Sequence, residues 1–324
     1  MIRPYSRQKN FFLNVFRFNK ESEMNTQTVS TIISHYVKEH LQDIPTSVVD
    51  ISLVGSFSGI YGWKDTRFGD ADISIICSDL QDQGFWNWLN NFLQQIEILL
   101  LADSNIEKKL TIEKRAIDGP YKPAVATLPE SLLLIHVLLD KPETFVENRG
   151  LLIANTWKKY PSLIGNSFLH DICQFHPSFH DLLFDNRGVI VGIDTLVQAH
   201  ATLTFREYNL QTGQSFQTII PEESFVFYEY LMHKVLTISR DIARCMRAQN
   251  ADCLTNREFA TWFFYVTHDD FPIKVVDIKE QIEKSGYEIS TSNPLKNSTL
   301  QWLLQVKRSI ESHYYQNLSW DVPY

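Results

Sequence analysis

Cysteine is scarce in this sequence and unpaired by spacing: Cys77, Cys173, Cys245 and Cys253 form no CxxC motif and follow no regular interval. That excludes a zinc ribbon and a disulfide framework, and fits reduced thiols in a cytoplasm. Long apolar runs are missing as well. The longest, residues 96–102 and 132–139, have the length of core segments and fall short of the roughly 18 to 20 residues that a membrane span needs. Positive charge is not in excess: 30 Lys and Arg stand against 38 Asp and Glu, which argues against tight nonspecific binding to duplex DNA. A local basic patch is compatible with that balance. No internal repeat or low-complexity tract is present.

Acids are absent from the first twenty residues, where Arg3, Arg7, Lys9, Arg17 and Lys20 precede Glu21. This stretch lacks the apolar core and small-residue cleavage site of a secretory signal, so it reads as a loosely held extension (1–25) ahead of an alternative start at Met24. The 324 residues that make up the chain suit two domains of ordinary size.

Periodicity outlines the elements. Val29, Ile32, Ile33, Tyr36, Val37 and Leu41 recur at helical steps over residues 26–41, with Pro45 just beyond. Residues 47–54 alternate and run into Gly55-Ser56, as a strand entering a tight turn does, and β-branched residues 71–77 follow Gly69 as a second strand. Residues 85–101 predict the next helix; 109–117, the neighbourhood of Val125 and 131–139 predict further strands around the turn Asp118-Gly119-Pro120. The order α-β-β-α-β-β predicts an α+β fold, a mixed sheet with helices segregated on one side. After Pro142 come short helices and loops, then a helix opening at 188–193 and running toward Thr204. From Pro221 the pattern is helical, with Phe225, Tyr228, Leu231, Met232, Val235, Ile238, Ile242, Cys245 and Met246 on one face, followed by helices over 256–267, 275–285 and 299–315. A mainly helical C-terminal domain is expected over 221–324, joined through a connecting region, 143–220, to a catalytic domain at 26–142.

Chemistry concentrates in the first part. Asp70 and Asp72 lie two apart on a predicted strand and share a face, about 6 to 7 Å apart along it. Two such carboxylates repel each other, and a divalent cation removes the conflict. Hard oxygen ligands suit Mg2+ or Mn2+, which also bridge the oxygens of a triphosphate. At the end of the preceding strand, Gly55 permits close backbone approach to a ligand, and successive N–H groups with the Ser56 hydroxyl can cradle phosphates. Lys64 and Arg67, in the loop between the two motifs, are placed to meet phosphate.

These residues resemble the polymerase beta-like nucleotidyltransferases. The signature of that family is an apolar residue, Gly, Gly or Ser, a gap, and Asp-apolar-Asp/Glu-apolar; LVGS, thirteen intervening residues and DADI match it. The resemblance covers residues 26–142 and, more loosely, the helical C-terminal part. It implies a nucleotidyltransferase-type sheet, an NTP co-substrate and a divalent metal held by Asp70 and Asp72. It further implies transfer of a nucleoside monophosphate to a hydroxyl-bearing acceptor, with a small molecule such as an antibiotic favoured over RNA or protein because an acidic chain attracts cationic substrates. The family adds a third carboxylate on a later strand. In LLLIHVLLD the equivalent position holds His136, which has the pKa range of a general base but is a poor bridging ligand for two magnesium ions. Glu113, Glu130 and Asp140 are the substitute carboxylates, and a catalytically silent nucleotide-binding module acting through partners is the alternative that His136 motivates.

Other groupings have plainer readings. His233, Lys234, Arg240, Arg244 and Arg247 form a stripe that reads first as a solvated helix face and second as a phosphate or RNA contact. His170, Cys173, His176 and His180 fit no established ligand spacing, and Pro177 interrupts them. The aromatic run at 261–266 reads as core.

Overall fold

The structure, a computed structural model, describes residues 24–60, 65–66, 69–103, 111–118, 132–146, 157, 159–165, 168, 178–184, 203–220, 225–246, 254–284 and 295–312. Strand β1 (Met24–Asn25) leads into helix α1 (Thr26–Glu39), where the Asn25 side chain caps the free N–H groups of Gln27 and Thr28. Strand β2 (Val48–Val54) ends in a 3-10 turn at Gly55–Ser58; β3 (Asp65–Thr66) and β4 (Gly69–Cys77) follow. Helix α2 (Gln83–Ala102), capped by the Asp82 carboxylate on the Gly84 N–H, leads to β5 (Thr111–Asp118) and β6 (Leu132–Asp140). The neighbourhood of Val125 lies outside the described residues.

One sheet organises this part of the chain. Its strand order is β2-β4-β6-β5, continued by β7 (Leu203–Tyr208) and β8 (Ser215–Ile220). Pairing is antiparallel for β2/β4, parallel for β4/β6 and β6/β5, and antiparallel for β5/β7 and β7/β8, so the sheet is mixed, as expected. The two outer strands correct the sequence reading, which assigned 143–220 to short helices and loops and ran a helix toward Thr204. From Leu203 the chain is extended, and the hairpin is closed by a turn in which Gly213 has φ +70°. Residues 203–206 alternate, and a Gly-containing polar turn follows the strand, so a short signal was present; the preceding predicted helix, residues 188–202, lies outside the described residues. The hairpin is packed onto α2: a Cβ at Gly213 would fall 2.2 Å from Trp86 Nε1, and the Trp86 ring stacks on Tyr208.

Register gives the sheet two faces. Ile51 and Leu53, Ala71, Ile73, Ile75 and Cys77, Leu133, Ile135, Val137 and Leu139, and Ala116 form one core with Val29, Ile33 and Val37 of α1 and with Phe85, Trp86, Leu89, Phe92, Leu93, Ile96 and Leu100 of α2. The helices cover this face because their apolar residues recur at three- and four-residue steps and must be buried against the sheet. The opposite face carries Asp50, Ser52, Asp72, Ser74, His136 and Asp140, all buried.

A second, separate core joins α3 (Phe179–Phe184), α4 (Phe225–Cys245), α5 (Asn256–Thr267), α6 (Phe271–Lys284) and α7 (Leu295–Glu311). Of the predicted face of α4, the residues from Leu231 to Met246 are buried, and the side chains of Phe225 and Tyr228 lie outside the described residues. Thr255 and Glu258 form a reciprocal capping box at the start of α5. Pro272 stands in the first turn of α6, where a missing N–H leaves no helical hydrogen bond unmade. The aromatic run divides: Phe263 and Val266 are buried, whereas Phe264 and Tyr265 face solvent.

Candidate functional site

Strand β4 is the spine of the site. Its register sets Asp72 between Val54 on β2 and His136 on β6, and Asp70 beside Leu134. Because directly opposed residues share a face, Asp70, Asp72 and His136 project together from the sheet side that α1 and α2 leave uncovered. One potential ligand atom from each of the three lies within 4.8 Å of the other two. His136 Nδ1 is 3.5 Å from Asp72 Oδ1 and 3.8 Å from Asp70 Oδ2. His136 is completely buried and neither ring nitrogen has a hydrogen-bond partner, while the Asp70 side chain retains 26% of its exposure. The imidazole is thus the floor of the cluster and Asp70 its open edge.

Gly55 is part of the same construction. It follows Val54 directly, has φ +68°, and a Cβ placed on it would stand 3.1 Å from Asp72 Oδ2. Left-handed backbone and close approach to a carboxylate both select glycine here. The turn is pinned by Ser58, whose hydroxyl donates to the Gly55 carbonyl at 2.7 Å, and by Phe57, which is fully buried. Ser56 lies in this turn and is partly exposed. Lys64 and Arg67 lie outside the described residues; β3, between them, pairs with β1 through Met24 and Thr66.

Of the substitute carboxylates, Glu113 reaches the same face, in the row of Asp70 with Leu134 between them. It is engaged by Arg115, whose Nε is 2.6 Å from Glu113 Oε1 and 4.0 Å from Glu207 Oε1. Asp140 is four residues further along β6, opposite Ile76, and Glu130 lies outside the described residues. Among the described residues the place beside the two aspartates therefore belongs to His136. Arg115, which the sequence reading did not single out, is opposite His136 on β5 and brings a guanidinium to this face. Only the strand order could reveal it, because β6 inserts between β4 and β5.

Beyond Ser74, the same face closes over. Ile76 packs with Phe145, Trp157 and Phe168, the Leu163 N–H donates to the Ile51 carbonyl, and Ser162 bridges Ser52 at the edge of β2. Asp50 is buried there, and its Oδ1 accepts from Ser52 Oγ at 3.4 Å. Burial pushes the Asp50 carboxyl above its ordinary value, with hydrogen bonding from Ser162 and Ser52 offsetting part of the effect.

The basic stripe of α4 is largely spent on structure. Arg240 donates to the Leu254 carbonyl and to Asn256 Oδ1, and lies 4.3 Å over the Phe259 ring, bracing α4 against the start of α5. Arg244 is paired with the buried Asp241, and Arg247 lies outside the described residues. His170, Cys173 and His176 also lie outside them, as does the side chain of His180. A groove along α7, lined by His268, Asp270, Lys274, Trp302 and Gln305, shares no residue with the aspartate cluster.

No family model, no curated protein and no solved structure matches this chain. No described helix is long and apolar enough to cross a membrane.

Proposed function

We propose that this chain is a divalent-cation-dependent nucleotidyltransferase of the polymerase beta-like kind, moving a nucleoside monophosphate from an NTP to a hydroxyl-bearing acceptor. The observation that carries the reading is the contact of Gly55 with Asp72. The two halves of the motif, thirteen residues apart in the chain, meet at one point, with Asp70 and His136 beside it. Asp70, Asp72 and His136 fit a divalent ion by donor type: two carboxylates and an imidazole nitrogen, the latter buried with no hydrogen-bond partner. A cation held there would offset the negative charge on the oxygens of the triphosphate and of the transferring phosphoryl group.

The chain's own residues supply the rest. The turn at Gly55 and Ser56 offers backbone N–H groups and a hydroxyl to the outer phosphates. Arg115, held by Glu113 on the same face, adds positive charge beside the cluster. The acceptor hydroxyl releases its proton to solvent at the open, Asp70 edge of the cluster, its oxygen bonds to the α-phosphorus as the α–β bridge breaks, and pyrophosphate leaves with the electron pair of that bond. The acceptor is a small molecule in this reading. The net charge of −8 favours cationic substrates, and Arg240 and Arg244, the residues most suited to an RNA backbone, are engaged within the helical cluster.

The test is incubation with each α-labelled NTP, a divalent cation and a panel of hydroxyl-bearing acceptors. Label transfer that disappears in Asp70→Asn supports the enzyme. NTP binding without pyrophosphate release under every condition favours the silent nucleotide-binding module, which the histidine in place of a third carboxylate motivates.

A further inference from the structure

We infer that His136 is a metal ligand and that the cluster is a single-ion centre selecting a first-row transition ion of the manganese type over magnesium. The inference rests on the proposed function only for the presence of a divalent cation, and needs no nucleotide.

The first observation is the burial of the imidazole. A polar ring removed from water without a hydrogen bond is costly, and native structures normally compensate it. His136 has no accessible surface, and neither nitrogen finds a partner at hydrogen-bond distance. The second is spacing. Two donors on one first-row ion, each roughly 2.0 to 2.2 Å from it, stand about 3 to 3.5 Å apart. The Nδ1 separations of 3.5 Å from Asp72 and 3.8 Å from Asp70 are close to that value and too long for good hydrogen bonds. A third observation removes the competitor: Glu113, the carboxylate that topology brings closest in register, is committed to Arg115.

Donor chemistry then decides the ion. Magnesium takes oxygen ligands almost exclusively and dehydrates reluctantly. Imidazole nitrogen suits first-row transition ions, and a mixture of one imidazole with two carboxylates is accepted by manganese and its heavier neighbours. An imidazole nitrogen has one lone pair and cannot bridge two cations as a carboxylate can, so the set supports one ion. Full burial also separates His136 from any acceptor hydroxyl, which favours the ligand role over the general-base role.

The experiment uses the untagged full chain, stripped of metal and titrated with Mn2+ in the absence of nucleotide. Binding is followed by electron paramagnetic resonance, with nitrogen coupling read from spin-echo modulation and Mg2+ as competitor. One tightly bound Mn2+ per chain is expected, showing imidazole nitrogen coupling and displaced by Mg2+ only at about 100-fold excess or more. In His136→Asp the nitrogen coupling is lost and the preference for Mn2+ falls at least about tenfold, as an all-oxygen site requires. Bound Mn2+ without nitrogen coupling in the unmodified chain, two equivalent ions, or equal affinity for Mg2+ each overturns the inference, even if the variant fails to fold. Selective Mn2+ binding with no label transfer from any NTP leaves this centre standing and removes the transferase. Label transfer supported equally by Mg2+, without nitrogen coupling, does the reverse.

Discussion

The two faces of the central sheet are built from alternate residues of the same strands, yet obey different rules. On one, Ile73 and Ile75 of β4 and Ile135 and Val137 of β6 meet the apolar stripes of α1 and α2. On the other, the polar side chains of Asp72, Ser74, His136 and Asp140 are buried almost as completely. Burial of aliphatic groups stabilises the fold directly, whereas burial of carboxylates and imidazole costs free energy unless something binds them. The first face holds the structure together, and the second carries the cluster proposed as the metal site.

Substitutions can separate these roles. The largest effect is expected from Asp72→Asn, which lowers label transfer by more than about 100-fold, the upper end of what supporting residues of a metal site contribute. Since it also relieves repulsion from Asp70, the melting temperature does not fall; a drop of several degrees would mean that Asp72 belongs to the structural face. Next is Ile75→Ala, which empties a fully buried site and costs about 2 to 5 kcal/mol in urea unfolding. Its neighbour Ser74→Ala, equally buried but on the other face, costs about 1 kcal/mol or less. Equal losses at the two positions would erase the distinction between the faces.

Gly213→Ala tests whether the late hairpin belongs to the same cooperative unit. The added methyl overlaps the Trp86 ring, and the residue is held at φ +70°, so a loss of roughly 1 to 3 kcal/mol is expected in global unfolding. An effect confined to amide exchange within Leu203–Ile220 would place the hairpin outside that unit. The smallest effect is on pH dependence. Asp50 has a raised carboxyl pKa in the folded state, so its contribution is fully present below the ordinary value of 3.8 and is lost as pH rises through the folded value. Asp50→Asn copies the protonated form, and its melting temperature relative to the parent should climb as pH increases above 3.8. A difference that stays constant with pH would show that Asp50 is ionised in the fold.

Much of this architecture was legible residue by residue. Alternation in 71–77 separates Asp72 from Ile73, and the three- and four-residue steps identify Val29, Ile33 and Val37 as the buried side of α1, although Leu41, placed on the same face, lies beyond the helix and is exposed. The hairpin escaped the sequence reading because alternation holds only over residues 203–206, and because it follows a stretch read as helical and pairs with β5, distant in the chain. Arg115 was missed for a related reason. It lies 43 residues from Asp72, and only the placement of β6 between β4 and β5 brings the two to one row.

By itself the sequence determined which side chains share a face and where the backbone needs glycine, since both follow from the two-residue period of a strand and the φ of a single residue. The tertiary structure alone decided which faces meet. Strand order and register are set by long-range pairing, and it is that pairing which buries His136 beneath Asp70 and Asp72 and seats Gly55 against Asp72.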